Sequence, residues 1–389
     1  MVLVTPRQLR LASEPIKIAL ILHSFETGGI ERCVARLVNS LSETRFDSTI
    51  ICLSHSGSGA RWVSKSGVRI IELNKSSRND WQVVRRLAGG LREIQADIAV
   101  SHNWGTLLET SIARRMARIP VHLHAERGTV LGQGQPKRFR RLLRGKAMRF
   151  ALNRASGVMA NSFAVARKVE DACGFPANKI TIIPNGVKSP LNETLHRREL
   201  VRKRLEISDE DLLFGSVGRL VPVKAFHDFV QAIASTNDRR IHGVILGSGS
   251  EERRLQQQIQ ELGIGDRMKL IGHQDNPGEY YSAMDGFVNC SISEGMSQAV
   301  VEAISFGLPC VVSDVGDSSV TVGEPNECGI VVSASDPSGL ARTMERLAND
   351  GEARKRYSKN ARVKYRTEYT EEGMIERFGQ LFSRLVESA

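Results

Sequence analysis

No stretch of this 389-residue chain stays apolar for the ~18–20 residues that a membrane-crossing helix needs. The longest early run, Ile16 to Leu22, is short and interrupted by Lys17. The first fifteen residues lack an apolar core followed by a small-residue cleavage site, so residues 1–15 read as a polar tail. The six cysteines (Cys33, Cys52, Cys173, Cys290, Cys310 and Cys328) have no metal-ligand spacing. Cys52, Cys290 and Cys310 fall in apolar strand-like runs, as small core residues of a reducing compartment do, which makes the cytoplasm the expected location. No Asp-x-Asp pair stands at a strand end, so no metal is expected. Low-complexity tracts and solenoid-length repeats are absent too, and with 41% hydrophobic and 25% charged residues the composition is that of a globular protein. The length implies two or three domains.

Acidic residues are missing from one long segment. Between Arg127 and Lys168 there are eleven Lys or Arg and no Asp or Glu, a surplus equal to the whole net charge of +11. Eight of these cations lie between Lys137 and Arg154, where Phe139, Leu142, Leu143, Ala147, Phe150 and Ala151 recur at helical spacing. The segment therefore reads as a basic amphipathic helix. Its apolar side could pack in the core, the helix could meet an anionic membrane surface or lipid phosphate, or it could meet nucleic acid. No nucleic-acid motif or aromatic stacking pattern accompanies the charge, so no nucleic-acid partner is expected.

Short β-like runs alternate with helical patterns along the chain. Ile16–Leu22, Thr49–Leu53, Arg69–Leu73, Ile98–Ser101, Val121–His124, Gly157–Ala160 and Lys179–Ile183 form a first series, with helices through Leu41, around Trp81–Ile94 and over Leu107–Ala117. Pro184-Asn185-Gly186-Val187 then interrupts regular structure, as a hinge would. The second series comprises Leu212–Val217, Gly243–Leu246, Met268–Ile271, Gly286–Asn289, Cys310–Ser313 and Gly329–Val332, with helices from Pro337 to Leu385. The pattern predicts an α/β protein of two Rossmann-like, doubly wound parallel-sheet domains facing a cleft, with ligands at the carboxyl ends of the strands.

The strongest local signal is the run from Ser293 to Ala303, in which Glu294 and Glu302 stand eight apart. Along a helix that spacing is roughly 12 Å, comparable to the separation of hexose and ribose in a folded nucleotide sugar. Glu302 could accept hydrogen bonds from ribose hydroxyls, Glu294 from sugar hydroxyls, and the free amides near Gly295, Met296 and Ser297 would face a diphosphate. Gly218-Arg219 follows a strand, with Lys224 five residues on; two cations there would neutralise a leaving diphosphate. Gly28-Gly29-Ile30-Glu31, after the first strand, would let backbone approach a phosphate or sugar. His122 and His124 alternate along a strand leading to Glu126 and Arg127, so both are expected to face one way. His124 is the choice for the site, with His102 its competitor.

In order and spacing, GGIE, Asn161-Ser162, PNGV, GRL with Lys224, EGMSQAVVE, FGLPCVVSDVG (Phe306–Gly316) and CGIVVSASDP (Cys328–Pro337) make the chain resemble, over nearly its whole length, the retaining glycosyltransferases of family four with the GT-B fold. The resemblance implies an N-terminal acceptor domain over 16–185, a nucleotide-sugar domain over 186–369, and a helix over 370–389 packing back on the first. It implies that Arg219 and Lys224 hold the donor diphosphate, Glu302 the ribose, and Glu294 with the amides after Gly295 the donor sugar. His124 would touch that sugar near the reacting centre; Glu126, Arg127 and His102 are acceptor-side candidates. The expected partners are a UDP-, GDP- or ADP-linked sugar and a saccharide or lipid-linked acceptor, with no cofactor, and the setting is bacterial surface-polysaccharide, lipopolysaccharide or glycolipid synthesis, in the cytoplasm or at the inner face of its membrane. A non-catalytic nucleotide-sugar-binding protein and a GT-B epimerase are the alternatives. The chain departs from the family pattern at Ala225, where a glycine usually follows the lysine, and at Asp317, where a second glycine is frequent, with Ser318 and Ser319 in the stretch where a glutamate is often found.

Overall fold

The computed structural model describes residues 14–389 apart from 27, 77–79, 129, 131–137, 191–193 and 325–326. The chain divides into two compact units, 1–184 with 374–389, and 185–373.

Unit 1 holds a seven-stranded sheet in the order β3-β2-β1-β4-β5-β6-β7, every neighbour pair parallel. Its strands are β1 (Ile16–Leu22), β2 (Phe46–Cys52), β3 (Arg69–Glu72), β4 (Ile98–His102), β5 (Val121–Glu126), β6 (Gly157–Ala160) and β7 (Thr181–Ile182). β2 starts earlier than its apolar run suggests, because polar Asp47 and Ser48 still pair with β1. Alternation along β1 explains the two-sided core. Ile18, Leu20 and Leu22 enter one cluster with α1 (Gly29–Ser40). Ala19 and Ile21 enter another with Val83, Val84, Leu87 and Leu91 of α2 (Gln82–Glu93). Helices α3 (Trp104–Ala117), α4 (Arg138–Leu152) and α5 (Phe163–Cys173) complete the crossovers.

Unit 2 holds a six-stranded, all-parallel sheet in the order β10-β9-β8-β11-β12-β13. The strands are β8 (Leu212–Val217), β9 (Ile241–Leu246), β10 (Met268–Gly272), β11 (Gly286–Asn289), β12 (Cys310–Ser313) and β13 (Gly329–Val332). Between them run α6 (Thr194–Leu205), α7 (Phe226–Ser235), α8 (Glu252–Glu261), α9 (Gly278–Ala283), α10 (Gln298–Ser305) and α11 (Ser318–Val322); α12 (Pro337–Asn349) and α13 (Gly351–Lys364) follow. The residues after Pro184 are tied into this unit. The Val187 amide bonds Tyr369, its carbonyl accepts from Glu371 and from the Tyr365 hydroxyl, and any side chain on Gly186 would collide with the Thr370 carbonyl.

Of the apolar residues that recur at helical spacing along the basic helix α4, Ala151 packs inward and the larger ones do not. Phe139, Leu142, Leu143 and Phe150 are 69%, 58%, 50% and 57% exposed. Met148, Ala151 and Leu152 make the core contacts instead, and Gly145 is buried with its Cα too close to the Ala172 carbonyl for a side chain. The glycine fixes which face can approach the neighbouring chain. Lys137 lies outside the described residues.

The last helix, α14 (Glu371–Glu387), enters unit 1 from Met374 onward. Met374, Phe378, Leu381, Phe382 and Val386 join the cluster of β1 and α1, and Phe382 meets Phe46 edge to face at 6.1 Å. Truncating a buried aromatic costs its transfer free energy plus a cavity term. Phe382→Ala should therefore lower the stability of this unit by about 3–5 kcal/mol in denaturant unfolding. A loss below about 1 kcal/mol, within the range of neutral surface changes, would contradict the packing.

Candidate functional site

In each sheet the strand order reverses once, between β1 and β4 and between β8 and β11. Loops leaving the carboxyl ends of the two strands at such a reversal are driven apart by their helices, which opens a crevice there.

In unit 2 the reversal brings distant residues together. Gly218 and Arg219 leave β8, and Ser291 to Ser297 leave β11. Lys224 Nζ donates to Glu294 Oε1, which also accepts from Ser291 Oγ at 2.8 Å; Ser291 Oγ is in turn 2.8 Å from Asn289 Oδ1. The two loops are also joined by backbone, Ile292 N to Val223 O at 3.0 Å. Arg219 is exposed beside this pair in sequence. Glu294 is not helical: α10 begins at Gln298, so the roughly 12 Å helical spacing between Glu294 and Glu302 does not hold. Ser297 is the N-cap of α10 and makes no side-chain cap bond, so the first amides of that helix are unused by it. Glu302, one turn on, accepts from the Tyr281 hydroxyl at 3.2 Å, and the same hydroxyl is 3.3 Å from the Ala299 carbonyl. Burial, and then the Glu302 charge, hold the Tyr281 phenol well above its ordinary range.

Close backbone approach shapes these loops. Gly247 (φ +146°) and Gly249 (φ +157°) pack on the carbonyls of Gly218 and Leu220, where a side chain would collide. Gly316 (φ +61°) lies against the carbonyls of Glu294 and Gly295, and Asp317 N donates to Gly295 O at 2.9 Å. The two departures from the family pattern then differ in kind. Asp317 has φ −100°, open to any residue. Ala225 has φ +48° and ψ +36°, a left-handed conformation that costs an L-residue roughly 1–2 kcal/mol.

In unit 1, Gly28 precedes α1 at φ −159°, an extended geometry, and carries the Glu31 carboxylate close above it; Gly29 faces open space. Burial raises the Glu31 pKa. His122 and His124 do face the same way: His122 Nε2 and His124 Nδ1 each lie 2.8 Å from Ser101 Oγ. One hydroxyl donates one proton, so one of these nitrogens accepts from Ser101 and the other donates to it. His124 Nε2 is 3.5 Å from Glu126, and both side chains are fully buried. Neither Glu126 oxygen has a hydrogen-bond partner among the described residues. His102 Nδ1 donates to the Ile21 carbonyl at 3.1 Å, since an oxygen there requires the N–H form. Burial first, then the charge of Arg127, pushes His102 down to about 3; burial, then His124, does the same for His122. Arg127 directs its groups inward: its amide to Asn103 Oδ1 at 2.9 Å, Nη1 to Cys33 Sγ at 2.9 Å, and its guanidinium over Phe378.

Sequence reasoning missed several groups here. Asn103, at φ +55° between β4 and α3, is a strained non-glycine residue at a strand end. At the carboxyl ends of β1 to β3, Glu26 Oε1 is 2.7 Å from His55 Nε2, Glu26 Oε2 accepts from Ser58, and Glu72 accepts from the Ser56 amide at 2.8 Å. The Ser58 amide, then His55, lowers the Glu26 pKa. Nearby, Lys75 pairs with Glu109 at 2.7 Å. Their only sequence signal was polarity immediately after an apolar strand. Tyr281 had none.

The buried histidines make stability depend on pH. Their folded pKa values lie below the 6.5 of the free group, so the unfolded chain binds protons that the folded chain refuses. Stability should fall as pH drops from about 6.5 towards about 3, each histidine adding up to about 1.4 kcal/mol per pH unit. His122→Gln should flatten the curve of melting temperature against pH in that window; an unchanged slope would refute neutral burial.

The chain matches the family described as Glycosyltransferase Family 4 over residues 27–189, and the family described as Glycosyl transferases group 1 over residues 197–364. It is 28% identical over 185 residues to the lipopolysaccharide core biosynthesis glycosyltransferase LpsE of Rhizobium meliloti, a match covering 47% of this chain and 53%, about half, of that protein. It is 25% identical over 346 residues to the UDP-Gal:alpha-D-GlcNAc-diphosphoundecaprenol alpha-1,3-galactosyltransferase of Escherichia coli, covering 86% of this chain and 88% of that one. Among solved structures, Anabaena Alr3699/HepE in complex with UDP superposes with a TM-score of 0.82 at 20% identity, over 95% of this chain and 100% of that one. With its two parallel-sheet units and both halves matched, the chain belongs to the family four, group 1 glycosyltransferases of GT-B fold.

Proposed function

We propose that the protein is a retaining, metal-independent glycosyltransferase. It moves a sugar from a nucleotide-diphosphate donor to a hydroxyl of a saccharide or lipid-linked acceptor in the synthesis of bacterial surface polysaccharide, lipopolysaccharide or glycolipid. The observation that carries this reading is the meeting of Lys224 with Glu294 beside Arg219 at the β8/β11 reversal. Arg219 and Lys224 bind the donor diphosphate, joined by the free amides at Ser297 and the start of α10. A diphosphate entering there draws the Lys224 ammonium from Glu294 and frees that carboxylate, with the amides after Gly295 and Met296, for hydroxyls of the donor sugar. Glu302, held by Tyr281, accepts from the ribose hydroxyls. In unit 1, His124 serves the donor sugar, with Gly28 and Gly29 allowing close approach; Glu126, Arg127 and His102 shape the acceptor side.

In the transfer, the anomeric carbon–oxygen bond to the diphosphate breaks and the acceptor oxygen bonds the same carbon on the same face. The acceptor's proton goes to the departing diphosphate. Arg219 and Lys224 stabilise the charge that grows on the leaving group, work a metal would otherwise do. Relatives named for lipopolysaccharide core synthesis and for a diphosphoundecaprenol acceptor support the setting, and UDP bound to HepE puts UDP first among the UDP, GDP and ADP donors.

The exposed apolar residues of α4 support a further part of the proposal. Phe139, Leu142 and Leu143 stand among exposed Arg140 and Arg141, the combination that inserts into an anionic lipid surface. No described helix is long and apolar enough to cross a membrane, and we propose peripheral attachment at the inner face of the cytoplasmic membrane.

Two tests follow from this reading. Donor binding should raise the melting temperature with one nucleotide class, by about 2.7 kcal/mol of stability at a hundredfold excess over Kd. Arg219→Ala and Glu302→Ala should lose that shift, and turnover of Arg219→Ala should fall on the order of 10²–10³-fold, with EDTA without effect. A product of inverted anomeric configuration, read by NMR, would refute retention. For the membrane, Arg140→Ser with Arg141→Ser should weaken binding to anionic vesicles by about 2 kcal/mol, roughly thirtyfold, and leave donor affinity unchanged. Unaltered vesicle binding would refute the role of α4.

A further inference from the structure

At the other end of the unit 2 sheet, where β11 and β12 begin, lies a cavity of about 610 Å³. Its lining includes five cationic side chains, Arg198, Arg354, Lys355, Lys359 and Arg362, and, among the described residues, a single carboxylate, Asp285. That carboxylate is already neutralised: Arg198 Nη2 reaches it at 2.6 Å and Arg202 Nη1 at 3.0 Å. Arg198 and Arg354 are further committed to backbone carbonyls, and Lys355 to Glu352. Lys359 and Arg362, one turn apart on α13, have no hydrogen-bond or ion-pair partner among the described residues. Gly307 (φ +75°) lies so near Arg362 that a side chain there would crowd the guanidinium. The floor is aromatic, with Tyr281 and Phe306 stacked at a centroid distance of 5.3 Å.

Unpaired cations over an apolar floor call for an anion, and a planar guanidinium beside a lysine fits the oxygens of a phosphate. We infer that this cavity is a second binding site, for a phosphate-bearing ligand, and that it is coupled to Glu302 through Tyr281. The coupling follows from one residue. Tyr281 lines the cavity, stacks on Phe306 at the end of α10, and gives its hydroxyl to Glu302 on the same helix. A ligand that moves Phe306 or Tyr281 moves the carboxylate assigned to the donor ribose. The site itself stands without the donor reading; the coupling rests on it.

Inorganic pyrophosphate titrated into the full-length chain by calorimetry separates the two. Wild type should bind two per chain, Arg219→Ala should keep one, and Lys359→Ser with Arg362→Ser added to Arg219→Ala should weaken that one at least about tenfold. Both positions are exposed, so melting temperature should not move. Equal isotherms with and without the double substitution would overturn the site. Sedimentation with phosphatidylglycerol vesicles identifies the source: a further loss of vesicle binding in the double variant assigns a lipid headgroup, and loss for pyrophosphate alone assigns a soluble phosphate. For the coupling, the free nucleoside of the donor avoids competition for the diphosphate subsite. In Arg219→Ala, saturating pyrophosphate should change nucleoside affinity on the order of fivefold or more, and adding Tyr281→Phe should abolish the change. Unchanged nucleoside affinity with pyrophosphate bound would overturn the coupling. A failure of the nucleoside to bind at all would instead fall on the donor reading.

Discussion

Parallel pairing of β8 with β11 is the constraint on which the unit 2 site depends. The two strands lie about seventy residues apart in the chain, yet Gly286 and Phe287 sit in register with Phe214 and Gly215. Because the strands run the same way, the loops that leave them emerge at one edge. Lys224 and Glu294 meet there only for that reason, and neither could be brought to the other by local structure. Every unit 2 group assigned to the donor hangs from this pairing, since α10 with Glu302 continues the loop after β11 and Gly316 after β12 clasps Glu294 and Gly295. The same logic in unit 1 places His102 and Glu126 at the ends of adjacent β4 and β5.

Most of the architecture was legible because both sheets are buried on both faces. Runs such as Leu212–Val217, Cys310–Ser313 and Gly329–Val332 are nearly continuous in apolar residues, and each is a strand with the boundaries its composition implies. Legibility failed where burial is one-sided or polar. β2 opens with Asp47 and Ser48, held by pairing with β1 rather than by hydrophobicity. Whether the apolar side of α4 packs inward could not be read, because Gly145, which lies against the Ala172 carbonyl of α5, carries no hydropathy signal, while the exposed Phe139, Leu142 and Leu143 do. In the site, the order of Arg219, Lys224, Glu294 and Glu302 could be read from motif spacing, but what each one touches could not. Ser291 and Tyr281 became visible only once strand order put them beside Glu294 and Glu302.

Electrostatics divides the molecule in a way that net charge alone conceals. Unit 1 carries its surplus of cations on the outward side of α4, beside exposed aromatic and aliphatic groups, yet its interior holds histidines that burial keeps neutral. Two groups of cations in unit 2 contrast, one at the carboxyl end of β8 and one on α13. In the first, a carboxylate already occupies the lysine; in the second, the one carboxylate is taken by arginines that serve the fold. A cation held by a nearby carboxylate keeps its place and can be drawn to a stronger anion, which suits the diphosphate role proposed for Lys224. Cations without such a partner bind whatever anion fits and have no internal competitor to discharge it.

The glycines and the one strained alanine bear on the same question. Gly247, Gly249 and Gly316 sit where a side chain would meet a carbonyl of the neighbouring loop, so these loops are packed backbone to backbone and have little room to adjust. Such packing allows Ala225 to persist at φ +48°, because the turn from Pro222 to Lys224 and the start of α7 hold it from both sides. The cost falls on folding and is met before any ligand arrives. Lys224 closes that turn, so rigid backbone fixes where its stem begins and the Glu294 carboxylate holds its ammonium. A preorganised cation loses less entropy on binding than a free one, which makes strain at Ala225 intelligible under the diphosphate role proposed for Lys224.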